Sequence, residues 1–324
     1  MSHTDTPFAP LPRPQGSDGT DRRVGVEIEF AGLTEDATAT LVRAELGGDI
    51  HRDATHDLHV SGTELGTVKI VLDTALRRLG DAGPVDKVLD ALRGLIPVEI
   101  VTDPLTRDQL VRLDTFRDTL RRNGAVGTTD GVLLGFGVHL NVSITDTHDP
   151  FTWQTVLAFA LMQGWLRRRM PIDGTRRLMP FVAPWPDAFV TELAHIGPTP
   201  TCDAVRDLYA QHCNSRNHAL DLLPIFRHAD TEAFDRLFPN QSNTKGRPAF
   251  HFRLPDCRID DAAWSLNLEW QRWRLVELLA ADADALSALT RKRRAWAAQT
   301  AAGRPGWTDV VQEVLGTDWA ALTR

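Results

Sequence analysis

The sequence predicts an α+β protein, an antiparallel β-sheet with helices packed on one face and a largely helical C-terminal part. Three observations point there. Three segments alternate apolar and polar residues with the period of two of a half-buried strand. Apolar residues at helical spacing fill much of the remaining chain, and strand-like segments nearly vanish beyond Pro150.

Taken in order, residues 1–21 are rich in Pro, Gly, Ser, Thr and Asp and show no periodicity. They are expected to form a disordered, dispensable tail, leaving 22–324 as a single domain. Strands are predicted at Arg23–Phe30, Gly66–Asp73, Pro97–Thr102 and Val132–Ile144, with helices over Glu35–Leu46, Pro84–Gly94 and Asp108–Asn123 between them. Beyond Pro150, helices fit Phe151–Arg169, Asp203–His212, Thr231–Leu237, Asp261–Ala281 and Asp284–Thr300, with one strand at Ala249–Leu254. Met170–Pro186 and Pro239–Pro248 read as long loops or lids.

A chain of 324 residues, 42% hydrophobic, can bury a substantial core. Its 36 basic and 43 acidic side chains leave a net charge of −7, so no global positive field draws in nucleic acid or an anionic membrane. Cys202, Cys213 and Cys257 are odd in number and far apart, which argues against a disulfide framework, a structural zinc or thiol catalysis. No apolar run reaches the roughly 18–20 residues of a membrane span. The first residues lack the apolar stretch of a signal peptide, so a cytoplasmic protein is expected.

The chemistry is written on three strands of one design. In Val24–Phe30 the apolar Val24, Val26, Ile28 and Phe30 share a face, and Glu27 and Glu29 share the other. Val138–Ser143 sets His139, Asn141 and Ser143 opposite Val138, Leu140 and Val142. Phe250–Leu254 sets His251 and Arg253 opposite Phe250, Phe252 and Leu254. A solvated sheet face is the plain alternative, but Glu and Asn are depleted in strands. Two acids at i and i+2 repel unless a cation lies between them, which suggests a hard divalent ion such as Mg²⁺ bridging phosphates.

In chain order, Gly25–Phe30 (GVEIEF), Glu99–Pro104 (EIVTDP), Gly137–Asn141 (GVHLN) and Phe250–Arg253 (FHFR) resemble the amidoligase family of the glutamine synthetase and glutamate-cysteine ligase fold. The resemblance spans roughly 22–289. It implies a curved antiparallel sheet whose concave face binds ATP and Mg²⁺. The implied activity is that of an ATP-dependent carboxylate-amine ligase. The γ-phosphate passes to a substrate carboxylate, and an amine displaces it from the acyl phosphate to leave an amide or isopeptide bond. Implied metal ligands are Glu27, Glu29, Glu99 and His139, and implied catalytic residues are Arg253, Asn141 and His139. Lys69, His251, Arg216 and Asn217 are implied contacts to nucleotide and substrate. The implied partners are a small carboxylate, an amino acid or peptide, and an amine.

Two positions depart from the family pattern, His251 and Val71, each standing where an acid is expected. Two other activities therefore stay open, a kinase-like phosphotransferase on the same fold and a non-catalytic binder of a metabolite or peptide. His51, His56 and His59 fit no zinc spacing and read as a polar hairpin. The basic runs Arg167–Arg169 and Arg291–Arg294 read as solvated helix faces, and the Trp-rich stretch Trp264–Leu279 as core.

Overall fold

β-Branched residues alternating with polar ones write the central strand, β1 (Val24–Phe30). Its four apolar side chains are buried, while Gly25, Glu27 and Glu29 stay partly open on the other face. The computed structural model describes residues 8–54, 56–72, 97–128, 135–170, 172–178, 182–300 and 304–321. The helix expected over Pro84–Gly94 lies outside the described residues. β1 is joined by β2 (Asp49–Ala54), β3 (Asp57–Thr63), β4 (Gly66–Leu72), β5 (Val98–Thr102), β6 (Val138–Val142), β7 (Leu220–Asp221) and β8 (His251–Phe252). They form one sheet in the order β2-β3-β4-β5-β1-β6-β8-β7, with every pair antiparallel. The α+β class and the antiparallel sheet are thus as the sequence predicts, and the polar hairpin is β2–β3.

Helices cover the apolar face. α1 (Glu35–Leu46) lies on β3 and β4 through Ala39, Val42 and Leu46, and α2 (Arg107–Arg122) opens on a Thr106–Gln109 capping box. α3 (Pro150–Arg169) is apolar on nearly every side because it runs through the core. Phe159 of α3 meets Phe252 edge-on at 6.1 Å, and Trp273 of α9 (Leu266–Ala281) packs on Phe250 and Phe252. Short α4 (Gly174–Leu178) is followed by α5 (Asp187–Ile196), α6 (Cys202–His212), α7 (Leu223–Ala229) and α8 (Thr231–Leu237). After α9 come α10 (Ala283–Ala297) and α11 (Trp307–Ala321). α5, α7, α11 and β7 are additional to the sequence expectation. No helix among the described residues is long and apolar enough to cross a membrane.

The entrance to β1 is tied to α9 by a buried fork. Arg22 donates to both Glu277 oxygens at 2.8 and 2.7 Å, Trp273 Nε1 donates to Glu277 Oε1 at 2.9 Å, and both charged side chains are at most 2% exposed. A bidentate pair with extra hydrogen bonds is the geometry that offsets the desolvation of two ions.

Several expectations need correction. The tail packs on the protein as a strap at residues 8–11, while residues 13–21 are largely exposed. Phe8 and Leu11 are buried, Phe8 meets Trp270 at 6.3 Å, and the carbonyls of Phe8, Ala9 and Pro10 accept from Arg107, Trp270 and Arg274. Composition misleads here because helix side chains supply the hydrogen bonds that a Pro-rich backbone cannot make with itself. The stretch Met170–Pro186 contains α4 rather than being loop throughout. The strand expected at Ala249–Leu254 pairs regularly only at His251 and Phe252, and the helix expected from Asp261 starts at Leu266, where Ser265 caps it. The basic runs are solvated only in part: Arg168, Arg291 and Lys292 are exposed, whereas others of the runs are held in the structure. Arg293, 1% exposed, lies against the rings of Trp296 and Trp307 and donates to Asp187 and Thr191. Arg168 and Arg169 tie α3 to Asp309 and Gln312 on α11.

Because Phe8 is fully buried at a helix surface, Phe8→Ala is expected to lower stability by about 3–5 kcal/mol. Urea unfolding followed by tryptophan fluorescence measures it. A change below about 0.5 kcal/mol would make the strap peripheral.

Candidate metal and anion site

The open face of the sheet gathers the polar side chains of five neighbouring strands. Register does the placing. Glu29 stands directly opposite Glu99 on β5, and Glu27 stands opposite His139 on β6. Asp221 on β7 stands opposite His251 on β8. Since side chains directly across a ladder share a face, all six converge although they come from segments up to 224 residues apart (251 − 27).

Carboxylates and imidazoles alternate along this face. His139 Nδ1 lies 2.6 Å from Glu27 Oε2, and its Nε2 lies 3.6 Å from Glu29 Oε1. His251 repeats the arrangement, with Nδ1 3.5 Å from Asp221 Oδ2 and Nε2 3.8 Å from Glu27 Oε2. Asn141 Nδ2 donates to Glu27 Oε1 at 2.9 Å, and the Gly137 N–H donates to Glu29 Oε2 at 2.7 Å. Burial pushes the Glu27 carboxyl up, but the hydrogen bond with His139 and the neighbouring His139 and His251 imidazoles outweigh it and hold the group well below its ordinary value. Glu27 is therefore an ionised carboxylate inside the protein.

Two sets of possible ligands emerge among the described residues: Glu27, His139 and His251, and Glu29, Glu99 and His139. In each, one donor atom per residue lies within 4.8 Å of the others. Two carboxylates facing each other across a ladder repel, and a cation between them removes the repulsion. His251 Nε2 and Arg253 Nε are buried without a hydrogen-bond partner. Such orphans cost on the order of 1–3 kcal/mol each and fit groups whose partners are a bound cation and a bound anion.

Arg253 supplies the anion side. Its side chain is 13% exposed, and its terminal nitrogen lies 3.5 Å from Asp221 Oδ2 and 3.3 Å from His251 Nδ1. Arg216 joins through Asp221, donating from Nε at 2.9 Å. Burial raises the Asp221 carboxyl, whereas His251 and then Arg253 and Arg216 lower it more strongly, so it sits at about 2. For His251, burial and the Arg253 charge outweigh the pull of Asp221 and Glu27 and lower the imidazole below its ordinary value.

Two implied contacts lie farther out. Lys69 is exposed on β4, in one register row with Val101 and Glu27, about 10 Å away across two strand spacings. Asn217 is exposed, its backbone N–H bound to Ser215 Oγ, and does not join the cluster. Val71 faces Glu99 in register, so β4 adds no acid to the row.

Sequence reasoning missed two residues. Asp221, fully buried, has only one signal, a lone acid in the apolar run Leu220–Leu223. Arg176 of α4 donates to the carbonyls of Arg253 and Leu254 at 2.6 and 2.9 Å and to Asp256 at 2.9 Å. It lies so close over β6 that a Cβ at Gly137 would meet its guanidinium at 2.4 Å. Glycine there lets the arginine brace the backbone of Arg253 beside the cluster. The three cysteines stay apart from the site, and burial pushes the Cys202 thiol up to about 11. His51, His56 and His59 pair locally with Ser61, Glu35 and Asp53.

An antiparallel sheet that seats carboxylates and imidazoles beside a buried guanidinium defines the chain as an α+β protein with a candidate metal and anion site. More particularly, residues 20–275 match the family described as "putative amidoligase enzyme", which covers most of the chain, and the chain belongs to that family. Membership indicates an enzyme of the ligase type that forms amide bonds. No curated protein matches the chain.

Asp221 is the sole carboxylate placed against Arg253, His251 and Arg216 together among the described residues. Asp221→Asn leaves the Arg253 guanidinium buried without its counter-charge and is expected to cost about 3–5 kcal/mol. Denaturant unfolding checks this, and a neutral result would mean that the guanidinium is held by other groups.

Proposed function

We propose that the protein is an ATP-dependent carboxylate-amine ligase that uses Mg²⁺ and joins a small carboxylate, an amino acid or peptide, to an amine. The observation that carries this reading is a cation seat beside an anion seat. Glu27, Glu29 and Glu99 share a sheet face with Arg253, whose Nε has no partner, in a chain of the amidoligase family.

Bound ATP would supply the phosphoryl group that turns an unreactive carboxylate into an acyl phosphate open to amine attack. What the protein must do is bring anions together and neutralise their charge, since phosphoryl transfer is mostly positioning and electrostatics. Glu29 and Glu99 would hold Mg²⁺, with the Gly137 N–H fixing one oxygen of Glu29. Asn141 and His139 orient Glu27. Arg253 presents a planar fork to phosphate or carboxylate, and Asp221 aims it. Arg216 and Lys69 flank this centre and suit the outer phosphates or a substrate carboxylate.

The direct test is to screen amino acids and short peptides with amines for ADP release coupled to amide formation. ADP release without amide would favour a phosphotransferase, and no nucleotide turnover with any pair would favour a non-catalytic binder. Glu29→Gln keeps an acceptor for the Gly137 N–H but removes the charge that a metal requires. It is expected to leave the melting temperature near wild type and abolish turnover; wild-type turnover would remove Glu29 from the site.

Arg253→Lys keeps the charge and loses the fork. The expected cost is about 2–4 kcal/mol of transition-state stabilisation, roughly thirtyfold to a thousandfold in kcat/KM. An effect below about threefold would place Arg253 in a purely structural pairing with Asp221.

A further inference from the structure

The geometry points to a first-row transition-metal ion, not magnesium, as the resident cation between Glu27, His139 and His251. The inference rests on the reading of this face as a metal site and goes further, to the identity of one ion. It starts from donor chemistry. Two of the three side chains in this set offer imidazole nitrogen, and the set as a whole is one carboxylate and two imidazoles. Magnesium takes oxygen ligands and keeps much of its water, whereas imidazole suits zinc, cobalt, iron and nickel. The neighbouring set, with Glu29 and Glu99 opposite each other, is richer in oxygen and is the better seat for magnesium.

The second observation is independent of the ligand count. His251 is 4% exposed, and its Nε2 has no hydrogen-bond partner. That nitrogen faces Glu27 Oε2 at 3.8 Å, too far for a hydrogen bond. It is close to the roughly 3.3–3.4 Å between two ligands of a tetrahedral zinc bound at about 2.0–2.1 Å. An unpartnered imidazole nitrogen facing a carboxylate oxygen across that gap is the spacing of two ligands on one ion.

The third observation is the support behind His251. Asp221 Oδ2 lies 3.5 Å from His251 Nδ1. A carboxylate behind an imidazole is what orients metal-ligating histidines and raises their basicity. Asp221 is itself held by Arg216 and by the Leu223 N–H at 3.1 Å, so its position does not depend on the ion. The rings of His139 and His251 meet edge-on with centroids 5.3 Å apart, which brings both imidazoles to the same side of Glu27.

The test uses full-length protein stripped with chelator, with no nucleotide or substrate present. Zn²⁺, Co²⁺ and Mn²⁺ are titrated calorimetrically against a background of millimolar Mg²⁺. One ion of each is expected to bind per chain without displacement by Mg²⁺, and pulsed EPR of the Mn²⁺ form is expected to show coupling to imidazole ¹⁴N. The same titration on His51→Ala/His59→Ala, which removes the stacked surface pair, is expected to be unchanged. His251→Gln, which keeps a neutral polar side chain without the imidazole, is expected to lose the preference. Equal competition by Mg²⁺, absence of nitrogen coupling, loss of binding in the hairpin double variant, or an unaltered preference in His251→Gln would each overturn the assignment. The Mn²⁺ spectrum of the wild type keeps the test decisive if the His251 variant fails to fold. Since nothing here depends on ADP release, failure of the ligase reading leaves a positive metal result standing, and the reverse also holds.

Discussion

Glu29 and Glu99 face each other across one antiparallel ladder, and much of the site's arrangement answers to that placement. Like charges directly opposite on a sheet destabilise it. The pair is not moved out to solvent but kept half-buried at the centre of an eight-stranded sheet, with His139 reaching Glu29 from the next strand. A position that is costly in isolation and surrounded by groups that lower the cost belongs to function more naturally than to folding.

The apolar side of the sheet makes this tenable. Val26, Ile28 and Phe30 are fully buried under the helical layer, so β1 cannot slip by one residue without turning Glu27 and Glu29 into the core. The Arg22–Glu277 fork fastens the strand at its entrance, and the strap beginning at Phe8 closes over α9 beside it. Rigidity on one face lets the other hold charge in fixed positions, which is what electrostatic positioning requires.

Support on the polar side comes from residues that need not touch a ligand. Asp221 organises His251, Arg253 and Arg216 at once. Arg176 braces the carbonyls behind Arg253 and requires glycine at position 137, whose N–H in turn fixes Glu29. These two residues join the β6 and β8 halves of the site into one network, in which moving one side chain shifts several others.

The sequence by itself determined the α+β class, the central strands and most of the candidate site: the period-two pattern puts Glu27, Glu29, His139, Asn141, His251 and Arg253 on polar faces. Periodicity is a local property, and a strand's two faces are decided within five or six residues. It could not show that Phe8 is core, that Arg293 is buried between tryptophans, or that Asp221 sits behind His251. Those facts depend on partners far along the chain. A lone acid among leucines carries no local signal of the arginines that will surround it. Only the tertiary structure decided which polar faces meet and which imidazole nitrogen is left without a partner, because strand order and register are set by the packing of the whole sheet against its helices.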